Sequence, residues 1–135
     1  MSQAPPTSSA DTSAALLFIQ YFNYYRYMEE YEAIRALTAI AHPARLQVFR
    51  ALIVAGHGGL TPSALSSALG VPPTSLSFHL KELANAFLVT QERDGRHLIY
   101  RATYTRMNAL LAYLTANCCA GTECVVNPAV ACANG

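Results

Sequence analysis

Leu60–Val89, LTPSALSSALGVPPTSLSFHLKELANAFLV, is the stretch that decides the fold. Thr61 stands where an N-cap hydroxyl accepts a free backbone N–H, and Pro62 follows where a missing donor costs nothing. Leu65 and Leu69 are one turn apart, and Gly70 ends this first helix. A second start at Val71–Ser75 leads into Leu76, Leu80, Leu83 and Phe87, whose steps of four, three and four residues make one apolar stripe. Two short helices joined by a tight turn read as a helix-turn-helix. Off the stripe lie Thr74, Ser75, Ser77, His79 and Lys81, short hydroxyls and modest donors suited to phosphates or base edges in a DNA major groove. A merely solvated helix face usually carries more Glu and Lys than this one.

Downstream, Leu88–Glu92 and Leu98–Ala102 alternate like strands around Arg93-Asp94-Gly95-Arg96. Asp-Gly between such runs is a hairpin signal, because both residues tolerate positive φ. The hairpin is a wing, and Arg93, Arg96 and His97 at its tip would lie beside a duplex whose major groove held the preceding helix. Tyr104–Asn117 follows as a final helix with Met107, Leu110, Leu111 and Leu114 on its apolar side.

Upstream, Pro43 opens a helix with a wide apolar face, Leu46, Val48, Phe49, Leu52 and Ile53, and Gly56–Gly59 is a flexible exit. Glu32–His42 is helical with Ile34, Leu37 and Ile40 inward, and His42-Pro43 breaks it. His42 and His57 flank loops and read as surface or capping groups. Residues 14–32 are helical, with Leu17, Tyr21, Tyr25 and Met28 on one side and five tyrosines between Tyr21 and Tyr31. Such a stripe supplies buried area within the chain or, more sharply, at a dimer contact, in preference to an aromatic ligand pocket. Residues 1–13, MSQAPPTSSADTS, are a polar tail expected to be disordered.

The chain thus divides into a tail (1–13), a helical winged helix-turn-helix domain with a dimerisation helix (14–117), and a cysteine-bearing segment (118–135). With 53% hydrophobic residues in 135, one domain with a real core is expected. The net charge of +1 conceals an uneven distribution, since eight cations and four carboxylates between Glu32 and Asn117 leave this region at +4. A dimer would double that charge on one face. The N-terminus lacks a signal-peptide pattern and no apolar run is long enough to span a bilayer, so a cytoplasmic protein without membrane attachment is expected.

Helix, helix, helix-turn-helix, wing, helix is the order of a winged-helix repressor, and the chain resembles the ArsR/SmtB family of metal- and metalloid-responsive regulators. The likeness runs from about Ala33 to Asn117. It rests on LTAIAHPARLQVFRAL (Leu37–Leu52), on SLSFHLKELANAFLV (Ser75–Val89) with Ser77, His79, Leu80, Leu83, Leu88 and Val89 at family positions, and on RDGRHLIYRA (Arg93–Ala102). Phe87 stands where the family usually has glycine; a side chain buried against the wing would fit there. The resemblance implies a homodimer, joined through its terminal helices, that occupies operator DNA until an inducer binds.

The cysteine pair that some members carry on the first helix of the helix-turn-helix is absent from Leu60–Leu69, and Tyr104–Asn117 lacks the His and carboxylate ligands of zinc sensors on the last helix. What remains is Cys118, Cys119 and Cys124, two adjacent thiols and a third five residues on, with Gly121 between to let the chain fold back. Three thiolates suit a small thiophilic centre; zinc would want a fourth ligand from Cys132 or a histidine. The family resemblance puts trivalent arsenic or antimony first, as arsenite, antimonite or a methylarsenite that needs only the vicinal pair. The alternatives are a thiol oxidation sensor or a zinc- or cadmium-responsive repressor on the same fold, and idle cysteines. An arsenic-handling thiol enzyme is disfavoured because no Cys-x-x-Cys or phosphate-cradling loop is present, so no enzymatic activity is expected. A structural interaction module built on the tyrosine helix would show no salt-dependent DNA binding.

Overall fold

The computed structural model describes residues 28–121 and, before them, Ala15 alone. The tail at 1–13, most of the tyrosine-rich stretch, Cys124 and Cys132 lie outside the described residues. Among residues 28–121, five helices and one hairpin follow in order: α1 (Glu30–Ile40), α2 (Pro43–Ala55), α3 (Pro62–Leu69), α4 (Pro73–Asn85), β1 (Val89–Asp94), β2 (His97–Ala102) and α5 (Tyr104–Leu114), with a short 3-10 turn at Gly56–Gly58.

Local chemistry fixes each boundary. Glu29 caps α1 in a reciprocal box, its own N–H donating to Glu32 Oε2 at 2.9 Å. His42 caps α2, its Nδ1 accepting from Ala44 N at 3.2 Å. The Arg45 Nε donates to the Ala39 carbonyl at 2.6 Å, satisfying an acceptor at the end of α1. Thr61 caps α3 through its Oγ1, which accepts from Ala64 N at 3.2 Å, and Gly70 closes that helix at φ 66°. Ser66 Oγ donates to the Val71 carbonyl at 2.6 Å and so ties the turn into α4.

The exit from α4 is a Schellman motif: Phe87 N–H donates to the Ala84 carbonyl and Leu88 N–H to the Leu83 carbonyl, both at 3.0 Å. Its left-handed position falls on Phe87 at φ 61°, where an L side chain is strained by about 1–2 kcal/mol. Phe87 is 59% exposed, not packed against the wing or in the α4 stripe as the spacing suggested. Its ring lies instead near two guanidiniums, with Arg35 Cζ 5.6 Å and Arg106 Cζ 5.5 Å from the centroid.

The core gathers Val48, Phe49 and Leu52 from α2, Leu65 from α3, Leu76, Leu80 and Leu83 from α4, Leu88 and Val89 entering the hairpin, and Leu110 from α5. Two expected inward faces come out differently. On α1 the buried residues are Ala33, Ala36 and Ala39, whose small side chains allow close helix approach, while Ile34 and Leu37 are 55% and 40% exposed. On α2, Leu46 is half exposed. The final helix stops at Leu114, three residues short of Asn117, which itself sits at φ 57°.

β1 and β2 pair antiparallel from Val89↔Ala102 to Asp94↔His97. The two-residue turn is therefore Gly95-Arg96, one position later than Asp94-Gly95, with Gly95 at φ 62° supplying the positive φ at the first turn position. Leu60 adds an isolated bridge to Tyr100, with N–H···O bonds of 2.9 Å in both directions. Gly59 is thus a point of close approach rather than a flexible exit: at φ 69°, a Cβ there would meet the Tyr100 carbonyl oxygen at 2.5 Å. Among the described residues, no helix is long and apolar enough to cross a membrane.

Candidate nucleic-acid interface

The α4 stripe buries Leu76, Leu80 and Leu83, which turns Thr74, Ser77 and Lys81 outward at helical spacing, with Ser75 beside them. All four are exposed. Phe78, 56% exposed, completes this face; a search for donors alone passes over it, and its i+1 and i+4 relation to Ser77 and Thr74 is the signal in the sequence. An exposed apolar ring on such a face is suited to a thymine methyl group. The first half of the face carries no carboxylate.

His79 does not belong to it. The residue is 8% exposed and packs inward, its ring centroid 4.8 Å from that of His42, because it continues the buried stripe of α4. Burial, followed by the positive potential of His42 and Arg45, holds its imidazole below the ordinary histidine range. Its Nδ1 is buried and has no hydrogen-bond partner among the described residues.

Beside the reading face, the wing separates its arginines by role. Arg101 is committed to structure: Nη1 pairs with Glu92 Oε2 at 2.7 Å, and Nε donates to the His57 carbonyl at 2.7 Å. Tyr100 donates to Gln91 Oε1 at 2.8 Å, and burial pushes its phenol above the usual range. Arg93, Arg96 and His97 are exposed at the tip, and none of them makes an ion pair among the described residues. The wing is anchored to the helix-turn-helix through the Leu60–Tyr100 bridge, so reading helix and tip are carried on one scaffold.

Behind this face, Glu32 joins α1 to α5. Its Oε1 accepts from Arg106 Nη1 at 3.1 Å; the Glu29 N–H lowers its pKa most, burial opposes, and Arg106 adds to the lowering. Tyr104 OH donates to the Ile53 carbonyl at 2.9 Å and holds the start of α5 on α2.

At the far end of α5 the chain turns back through Asn117, Cys119 and Ala120, all at positive φ, rather than at Gly121. Cys118 is a free, exposed thiol, whereas Cys119 is disulfide-bonded. Cys119 therefore supplies no thiolate in this state, and the three-sulfur set of Cys118, Cys119 and Cys124 would require its reduction. Among the described residues, no three His, Cys, Asp or Glu side chains gather to hold a metal ion.

A buried-stripe reading helix, an anchored wing and a preceding helix pair define a winged helix-turn-helix protein. Residues 40–92 match a protein family described as a helix-turn-helix domain. Among solved structures, an ArsR-like transcriptional regulator from Rhodococcus sp. RHA1 is 25% identical at a TM-score of 0.56, over 62% of this chain and 76% of its own. A protein described as a possible transcriptional regulator for arsenical resistance is 29% identical at a TM-score of 0.52, over 58% of this chain and 79% of its own. The homodimeric winged helix-turn-helix DNA-binding domain Mb0332 from Mycobacterium bovis is 25% identical at a TM-score of 0.50, over 83% of this chain and 92% of its own. A comparison with curated protein sequences finds no match. In fold and in sequence the chain is thus similar to ArsR-like winged-helix transcriptional regulators.

Proposed function

We infer that the protein is a homodimeric repressor that binds operator DNA through Thr74, Ser75, Ser77, Phe78 and Lys81 of α4 together with Arg93 and Arg96 of the wing. One observation carries this reading: the outward face of α4 is exposed and short-chained, and it shares a scaffold with two arginines that make no ion pair among the described residues. The Mycobacterium bovis neighbour is described as homodimeric and DNA-binding, which supports both partners. In a symmetric dimer the two reading helices must match half-sites about one DNA turn apart, so a small change at the dimer contact is enough to release the duplex.

The inducer class that fits the tail is trivalent arsenic or antimony, bound by Cys118, Cys119 and Cys124 once Cys119 is reduced. Support comes from the thiophilic character of the sulfur set and from the neighbour described as a regulator for arsenical resistance. The segment begins just beyond α5, so tying its sulfurs together acts on the end of a helix whose Leu111 and Leu114 are exposed for a partner. A second reading is favoured by the disulfide at Cys119: the oxidation state of the tail is itself a signal.

Fluorescence anisotropy of a labelled duplex, drawn from a random pool by the reduced protein, tests both readings. Arsenite or antimonite should release the duplex from the reduced protein, and Cys118→Ser, Cys119→Ser, Cys124→Ser should bind as tightly yet ignore both. Zinc and cadmium serve as comparison arms. Release by a disulfide-forming oxidant alone, with no response to arsenite, would replace the arsenic reading with the redox one. Failure of the reduced protein to enrich any duplex at low salt would overturn the DNA-binding assignment.

A further inference from the structure

The imidazole pair His42–His79 joins two elements with different duties, and neither ring is needed on the reading face. His42 sits at the N-terminus of α2, where its Nδ1 must be unprotonated to accept from Ala44 N at 3.2 Å. His79 comes from the middle of α4, is 8% exposed, and brings to the junction an Nδ1 with no partner among the described residues. The rings lie 4.8 Å apart at an interplanar angle of 41°. Arg45, on the first turn of α2, adds a fixed positive charge beside them while donating to the Ala39 carbonyl.

Among the described residues, no carboxylate offsets that charge. From α1, Glu32 is engaged with Glu29 N and Arg106, and Arg35 lies over Phe87. α3 carries no titratable side chain. On α4 itself Lys81 is exposed and Glu82 partly so; in β1 the charged residues, Glu92, Arg93 and Asp94, are exposed. The pair is suited to two neutral rings. The adjacent guanidinium argues against a divalent cation as the missing partner.

We propose that His42 and His79 form an acid-released latch, which holds the reading helix α4 against α2 while both rings are neutral and lets it shift when either takes up a proton. Protonating His42 at Nδ1 converts the cap acceptor into a donor pointed at the Ala44 N–H. Protonating His79 buries a cation beside Arg45. Both events act on the seating of α4 and therefore on the spacing of the DNA-reading face, so the functional output rests on the DNA-binding reading while the latch itself does not.

The sign is fixed. A ring held low in the folded chain binds fewer protons than the unfolded chain, so its stabilisation is complete above the ordinary histidine range, about 6.5, and declines as pH falls through it.

The test compares wild type with His42→Asn, His79→Leu at pH 7.5 and 5.5 and constant ionic strength. Asn retains a capping acceptor and Leu fills the buried stripe, and neither titrates. Wild type should lose affinity for its selected duplex by about tenfold or more on acidification, one linked proton setting a ceiling near tenfold per pH unit. The double variant should match wild type at pH 7.5 and hold or gain affinity at pH 5.5. Equal losses in both proteins, or no loss in wild type, would overturn the latch. The thermal midpoint decides independently of DNA: wild type should lose several degrees more than the double variant between the two pH values, and parallel falls would refute the proposal. A steeper fall for wild type in a protein that binds no duplex would sustain the latch and overturn the DNA-binding reading instead.

Discussion

The helix-turn-helix with its wing and the pair α1 and α5 bury their apolar residues in opposite ways. In the first region, Phe78 and Phe87 apart, the large apolar side chains go inside: Leu65, Leu76, Leu80, Leu83 and Leu88 are all at or below 1% exposure. In the second, α1 buries alanines, and the large residues Ile34, Leu37, Leu111 and Leu114 stand 40–55% exposed. The first region is complete within one chain. The second has the composition of a core and the exposure of a surface, as expected for a face that a second copy covers.

Leu83→Ala attacks the self-contained region and should have the largest effect. A fully buried leucine truncated in a packed core loses about 2–5 kcal/mol, read as a lower denaturation midpoint with an unchanged slope. If the loss were below about 1 kcal/mol, the helix-turn-helix would not be the self-sufficient half.

Ile34→Asp, Leu114→Asp attacks the other region and should leave each chain folded while weakening self-association by about a hundredfold or more, the scale of a lost interface hot spot. Sedimentation velocity reads it directly. Unfolding without dissociation would mean that these side chains serve their own chain after all.

Gly59→Ala probes the joint between helix-turn-helix and wing. The added Cβ meets the Tyr100 carbonyl oxygen, and φ 69° is unfavourable for alanine, so a loss of about 2 kcal/mol is expected, with the hairpin amides exchanging faster than the helical core. Phe87→Gly lies where the two regions meet and should have the smallest effect, a gain of about 0.5 kcal/mol. Relief of left-handed strain, about 1–2 kcal/mol, slightly exceeds the loss of two exposed cation–π contacts at roughly 0.5 kcal/mol each. A clear loss would show that the Arg35–Phe87–Arg106 cluster outweighs the strain it is built on.

The same contrast explains what was legible in the sequence. Thr61, Pro62 and Gly70 announce α3, and the spacing of Leu76, Leu80 and Leu83 announces α4, because local capping and a one-sided stripe act within a few residues. Periodicity could not tell which of two apolar faces on α1 points inward, since Ala33, Ala36 and Ala39 alternate with Ile34 and Leu37, and the choice depends on how closely α2 approaches. His79 departs from expectation for a different reason: a polar side chain on α4 is expected to face water, whereas its register follows the leucines. Gly59 read as flexible because its constraint comes from Tyr100, forty-one residues later. For the cysteine segment, spacing names the donors, but the disulfide at Cys119 is a matter of chemical state that spacing does not encode.

The most direct measurement is the stoichiometry of the protein on a fluorescent duplex by analytical ultracentrifugation, for wild type and Ile34→Asp, Leu114→Asp side by side. The account predicts two chains per duplex for wild type, with affinity falling steeply with salt, and loss of both dimer and complex in the variant. One chain per duplex, with the variant binding as tightly as wild type, would contradict it.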